Sequence, residues 1–308
     1  MEQKQKDSAG GAERASEGRA AEIVVFGEVL FDVFPDGRRA MGGAPFNVAW
    51  GLKGFGRDPA LASAVGSDAD GEMARVRMEA WGMRTDGLQE DRGHATGEVR
   101  VELAGGEARY EIMGPRAWDN VGDAGWRAEK ALYHGLLALR SENNRRTLGG
   151  IRERSAGAIR FFDVNLRPPH DSAELLEEWM AGAEWLKLNV DELGALPGGG
   201  KTVFGRHERA LGRLMERYGI RNVLLTAGAG GLAIQGEYGE AACAPAPRPE
   251  RLEDTVGAGD SVSAVAIDGI LRGTGAREIV ERAGLFAARV CGLRGATTGE
   301  KEFYRHER

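Results

Sequence analysis

Asp254-Thr255-Val256-Gly257-Ala258-Gly259-Asp260 runs directly into Ser261-Val262-Ser263-Ala264-Val265-Ala266-Ile267, and this stretch decides how the chain is read. Small and apolar residues continue to Ile267 before charge returns at Asp268, the composition of a buried helix that opens at a glycine-rich turn. A helix start leaves four amide N–H groups unpaired and gathers roughly half a positive charge, so such a turn is an anion site. Gly257, Ala258 and Gly259 have little or no side chain, and a phosphate can approach their backbone closely. Asp260 falls in the first turn, beside that anion. A carboxylate there repels the ligand unless it contacts the attacking group, which suits a general base acting on a hydroxyl while the amides neutralise a migrating phosphoryl group. Asp before an apolar run is also the usual cap of a buried helix, and the string alone leaves that role open for Asp254 and Asp260.

The rest of the chain supplies a sheet. Ile23-Val24-Val25-Phe26, ending in Gly27, predicts a buried parallel strand, and a helix opening near Pro45 is predicted over 46–55. Further strands are predicted at 60–65, 130–134, 159–163, 185–188 and 222–226, with helices over 71–82, 142–155, 172–181 and 204–218. Repeated strand-then-helix order gives an α/β fold with a mainly parallel central sheet and helices on both faces. Residues 29–40 and 95–113 alternate apolar and polar, the second around a Gly105-Gly106 turn, and predict antiparallel strands outside that sheet. They form either a small β lid over the carboxyl ends of the parallel strands or a meander extending the sheet edge.

Composition narrows the function classes. The chain has 308 residues, 42% hydrophobic and 29% charged, as expected of a globular protein with one large domain over 21–308. A net charge of -6 offers no overall attraction to nucleic acid or to an anionic membrane surface, which favours small-molecule chemistry. No run of about 18 apolar residues marks a transmembrane helix. Cys243 and Cys291 lie far apart in apolar stretches, so buried reduced thiols and a cytoplasmic setting are expected. Residues 1–20, charged and rich in Gly, Ala and Ser, lack a secretory core and read as a disordered extension. Gly199-Gly200-Lys201-Thr202 imitates the end of a P-loop, but Ala195 stands where the first glycine is required.

The string 254–260 resembles the carboxyl-terminal signature of PfkB carbohydrate kinases, and Gly42-Gly43-Ala44-Pro45-Phe46-Asn47-Val48-Ala49 resembles their amino-terminal signature in its fructokinase style. The resemblance covers 23–296. It implies a ribokinase-like fold and ATP-dependent phosphorylation of a sugar hydroxymethyl group, with Asp260 as the base and Gly257, Ala258 and Gly259 as the anion hole. By the same resemblance, Gly42 and Gly43 let a sugar lie against the backbone and Asn47 bonds its hydroxyls. Asp32, closing Gly27-Glu28-Val29-Leu30-Phe31-Asp32, accepts two more hydroxyls. Asn165 and Arg167 belong to Asp163-Val164-Asn165-Leu166-Arg167-Pro168, where Val164 replaces the family's usual proline, and they face substrate or phosphate. Asn189 and Glu192 help to place Mg²⁺ through water, and Thr226, Gly228 and Gly231 form the nucleotide loop. Residues 294–296 close the adenine cleft, with Gly284 where relatives often carry Asn or His.

Read without the resemblance, these residues keep plainer roles open. Asn189-x-x-Glu192 is also a capping box, and the loop after Thr226 is also a hairpin turn leading to a returning strand at 232–235. Arg167 could pair with a surface acid. The resemblance makes ATP and a sugar the partners and Mg²⁺ the cofactor; K⁺ near the anion site and a homodimer built through the lid are further family expectations. Fructose is the favoured acceptor, with ribose, 2-keto-3-deoxygluconate, a nucleoside, or a non-catalytic sugar or nucleotide sensor as alternatives.

Overall fold

A computed structural model describes residues 18–104 and 107–305. Most of the expected extension at 1–20, and the Gly105-Gly106 turn, lie outside these residues; at the extension's end, Ala20 already belongs to the first strand.

Nine strands form the main sheet: β1 (Ala20–Phe26), β4 (Ala60–Gly66), β5 (Leu88–Asp91), β8 (Arg127–Gly135), β9 (Ile159–Asp163), β10 (Trp185–Asn189), β11 (Asn222–Thr226), β12 (Leu232–Gly236) and β13 (Ala241–Cys243). Their order is β13-β12-β11-β10-β9-β8-β1-β4-β5, parallel throughout except for the antiparallel edge made by β12 and β13. Alternation along each strand divides the core. Ile23 and Val25 of β1 join one apolar cluster while Val24 and Phe26 join the other, because successive side chains point to opposite faces.

The first cluster lies beneath α1 (Ala44–Gly54), α2 (Ala69–Trp81), α7 (Ala258–Arg272), α8 (Ala276–Val290) and α9 (Lys301–Arg305). The second lies beneath α3 (Glu142–Arg154), α4 (Ala173–Met180), α5 (Val190–Ala195) and α6 (Glu208–Tyr218). This is the expected sheet with helices on both faces, and the predicted strands fall on β1, β4, β8, β9, β10 and β11. Among the described residues no helix is long and apolar enough to cross a membrane. The two cysteines are unpaired as expected, but half-buried rather than buried, because both lie where the β13 edge and the end of α8 meet solvent.

The two alternating stretches make a separate sheet from β2 (Leu30–Val33), β3 (Arg39–Gly42), β6 (Gly97–Ala104) and β7 (Glu107–Ile112), in the order β3-β2-β6-β7. It is a second sheet and not an extension of the main sheet's edge. The expectation of antiparallel pairing needs one correction: β2–β3 and β6–β7 are antiparallel hairpins, but β2 and β6 pair in parallel, Leu30 opposite Gly97 and Asp32 opposite Val99. The reason lies in the main sheet. The chain leaves β1 for β2 and β5 for β6 from the same carboxyl end, so the two hairpins start in the same direction. The face bearing Arg39, Glu98 and Arg100 is laced by ion pairs among those three residues and Asp70 of α2.

Helix α7 is the axis of the molecule. Ten consecutive residues, 261–270, are buried, so it is covered on all sides, which explains the run of small residues. Asp268 closes that run. Its side chain is fully enclosed and takes Arg57 Nε at 2.8 Å, Arg272 Nε at 2.9 Å and Arg282 Nη2 at 3.3 Å, tying α7 to the end of α1 and to α8. Replacing Asp268 by Ala leaves three arginines without their shared counter-ion and is expected to cost about 3 kcal/mol of unfolding free energy, read from the urea midpoint.

Candidate active site

The two glycine-bearing segments meet where α1 and α7 begin. A methyl placed on Gly51 of α1 would stand 3.1 Å from the methyl of Ala264 of α7, so the helices touch through their smallest side chains. One turn earlier on each helix, Asn47 Nδ2 donates to Asp260 Oδ2 at 2.8 Å. Asp260 is therefore not a cap. The N-cap of α7 is Gly257, at φ 78°, where a Cβ would collide with Ala296 at 2.3 Å. Gly257 is thus required as much by packing against 294–296 as by access for a ligand. Asp254 takes the structural role instead, accepting the Val256 amide at 3.0 Å across the turn. Among the described residues no oxygen accepts from the amides of Gly259 and Asp260, which stay available at the positive end of α7.

A charge cluster lies under this turn, and the sequence reading did not include its cation. Lys187, the one charged residue in β10, is buried, and its Nζ lies 3.1 Å from where a Cβ on Gly259 would be. It donates to Asp163 Oδ1 at 2.9 Å, while Asp163 Oδ2 accepts from Ser263 of α7 at 2.9 Å and from Tyr133 of β8 at 3.3 Å. Burial pushes the Lys187 ammonium down, but Asp163, Glu192 and Asp260 outweigh it and leave its pKa above the ordinary lysine value. Asp260 moves up as well. Desolvation is the main cause, and repulsion from Asp163 adds to it, against the Asn47 hydrogen bond and the attraction of Lys187 and Arg167.

The small sheet carries Asp32, expected from the sequence on the acceptor side, next to the glycine pair before α1. Asp32 lies on β2 with Oδ2 at 3.5 Å from a Cβ on Gly42, and burial, then Asp254, pushes its carboxyl up to about 6. Gly43 is held at φ 108° with the Glu28 carbonyl 2.5 Å from where its Cβ would be, so Gly43 is required by close packing against the backbone of Glu28. Arg167 is exposed, bonded to its own loop through Leu166 O, and its charge acts on Glu28, Asp32, Tyr110 and Asp260. Asn165 sits beside it in the left-handed region at φ 41°. Tyr110 of β7, exposed and within the field of Asp254, Asp32 and Arg167, is a lid residue that alternation alone could not single out.

On the other side of α7 lie the residues expected at a nucleotide. Asn189 caps α5: its Oδ1 accepts from Glu192 N at 2.8 Å, and Glu192 Oε2 accepts from Asn189 N at 2.7 Å. Glu192 Oε1 accepts from Leu166 N at 2.9 Å. The capping box is thus real, and both Glu192 oxygens hold backbone. Among the described residues no cluster of three or more His, Cys, Asp or Glu side chains could hold a metal ion. Thr226 ends β11, and the loop from Gly228 (φ 53°) to Gly231 (φ 124°) turns the chain into β12, so the nucleotide-loop candidate is also a hairpin. At Gly284 a Cβ would meet Pro247 at 3.0 Å, so that position is walled by the chain after β13.

Comparison with known proteins gives the family and the fold. The family model described as pfkB family carbohydrate kinase matches residues 20–302. A fructokinase of Klebsiella pneumoniae is 29% identical over 298 residues, covering 89% of this chain and 93% of that protein. The crystal structure of an uncharacterized sugar kinase from Pyrococcus horikoshii in complex with ATP superposes with a TM-score of 0.74 at 26% identity, covering 89% of this chain and 93% of the other. A fructokinase double mutant from Vibrio cholerae, solved with fructose, ADP and potassium ion, shares the fold with a TM-score of 0.75 at 20% identity, over 93% of this chain and 99% of the other.

The buried pair under the turn gives a direct test. Lys187→Met keeps most of the side-chain volume but leaves Asp163 without its counter-ion; unfolding free energy is expected to fall by about 3 kcal/mol, measured by urea denaturation.

Proposed function

The chain belongs to the pfkB family of carbohydrate kinases, and on that premise we propose that it transfers the γ-phosphoryl group of ATP to a hydroxymethyl group of fructose, with Asp260 as general base. The observation that supports this reading is the Asn47–Asp260 hydrogen bond, which ties the helix after the glycine pair to the first turn of α7.

The chemistry follows from what surrounds that carboxylate. Asp32 and the Gly42-Gly43 backbone orient the sugar from the lid side, and Tyr110 and Arg167 border it. The acceptor hydroxyl gives its proton to Asp260 as the new P–O bond forms and the bond to the ADP oxygen breaks. Charge on the migrating group falls on the free amides of Gly259 and Asp260, with the Lys187 ammonium directly beneath them. Arg167 and Lys187 both draw Asp260 toward its ionised form, which a base requires. The hairpin loop at Thr226, Gly228 and Gly231 and the segment 294–296 hold the nucleotide. Mg²⁺, placed through water by Asn189 and Glu192, would offset the charge of the phosphates. K⁺ beside the anion turn and pairing of two chains through the lid remain part of the proposal, and the two unpaired thiols suit the reducing cytoplasm.

Turnover is read as ADP produced across a panel of fructose, ribose, 2-keto-3-deoxygluconate and nucleosides. Fructose is expected to give the highest kcat/KM; a different preferred acceptor would reassign the substrate, and no turnover with any of them would favour a sensor. Asp260→Asn is expected to lower kcat by about 10²–10⁴ while acceptor binding, followed by thermal shift with an ATP analogue, persists. The pH profile of kcat/KM should fall on the acid side as pH drops through about 6, because Asp32 must be ionised to accept sugar hydroxyls.

A further inference from the structure

Glu28 follows β1 and is almost completely buried, at 4% exposure. Its Oε1 accepts the Ala44 amide at 3.2 Å, serving the start of α1, whose own N-cap Gly43 has no side chain to offer. Its Oε2 is buried and meets no donor among the described residues. The same holds for Asn47 Oδ1, whose Nδ2 is committed to Asp260. Ala44 and Asn47 are three residues apart and share a face of α1. Two acceptors therefore lie without donors at one helical turn, a costly arrangement that a single proton between them would relieve.

We propose that Glu28 is a neutral carboxylic acid whose Oε2–H donates to Asn47 Oδ1, making it the positioning residue that fixes Asn47 and, through Asn47, the carboxylate of Asp260. The functional consequence rests on Asp260 being the base. Three charged or titratable groups face Glu28: Asp260 from α7, Arg167 from the loop after β9, and Tyr133 from β8, whose hydroxyl is held neutral. Burial is the main influence on Glu28 and, with repulsion from Asp260, lifts its pKa to about 7, against the backbone amides and Arg167. Ionised, Glu28 would add a second carboxylate beside Asp260 in a dry site. Neutral, it supplies the one donor that the turn lacks.

The sign of the linkage is fixed by that upward shift. A raised acid contributes stability that is complete below its ordinary value of 4.5 and is lost as pH climbs through about 7. The test compares the full-length protein with Glu28→Gln, which keeps the acceptor for Ala44 and carries a permanent N–H donor. The difference in thermal midpoint between the two is expected to move in favour of Glu28→Gln as pH rises from about 5 to about 8; a difference independent of pH overturns the proposal. Because this reading needs no substrate, it judges Glu28 even if the assignment of Asp260 as the base fails. In the kinase assay, Glu28→Ala is expected to lose about 10- to 100-fold in kcat with the KM for ATP little changed, and Glu28→Gln to recover most of that loss. Glu28→Gln as defective as Glu28→Ala would show that the charge is needed and would equally overturn it.

Discussion

The closeness of α1 and α7 is the constraint on which the rest depends. Gly51 against Ala264 lets the two helices meet at backbone distance, and only then can an asparagine one turn back on one helix reach an aspartate one turn back on the other. The Gly42-Gly43 turn precedes α1 and the glycine-rich turn at Gly257 precedes α7, so fixing the helix pair also fixes both turns. Asp268 and its three arginines hold the far end of the same helix. A site assembled from residues 213 positions apart in sequence therefore rests on rigid elements rather than on loops.

Charge is concentrated around this pair with little water to screen it. Asp163, Lys187, Asp260, Glu28 and Asp32 lie at or near the carboxyl end of the sheet, most of them with little solvent. Low dielectric makes each interaction strong, so the balance among them matters more than any single group. Asp163 is satisfied by three donors, which leaves it as a fixed anion that holds Lys187 under the glycine turn. Burial pushes Asp260 and Asp32 up, and Arg167 pulls both back toward the charged form.

Much of the architecture was legible in the sequence, because the strands of a two-sided parallel sheet are continuous apolar runs and the helices between them have clear composition. Asp260 and Asn47 were legible as candidates, but their mutual bond was not, since local pattern carries no information about which distant turns meet. Lys187 had a visible signal, a lone charge inside Trp185-Leu186-Lys187-Leu188, which marks a buried ion needing a partner. Glu28 gave less, sitting where a strand end could equally face solvent. Alternation found the lid strands but could not assign the parallel pairing of β2 with β6, which depends on where each hairpin leaves the main sheet. The residues Asn189 and Glu192 show the opposite limit: the capping box read from their spacing is present, and it occupies both carboxylate oxygens.

The parallel seam between β2 and β6 makes the small sheet a composite of two hairpins that arise from separate parts of the chain. Asp32 lies on one and Tyr110 on the other, and the central pairing of the small sheet exists only when both hairpins are in place. Each hairpin therefore constrains the other. Transplanting one of them from a relative would mismatch the join, so residues that face one another across β2 and β6 have to change together.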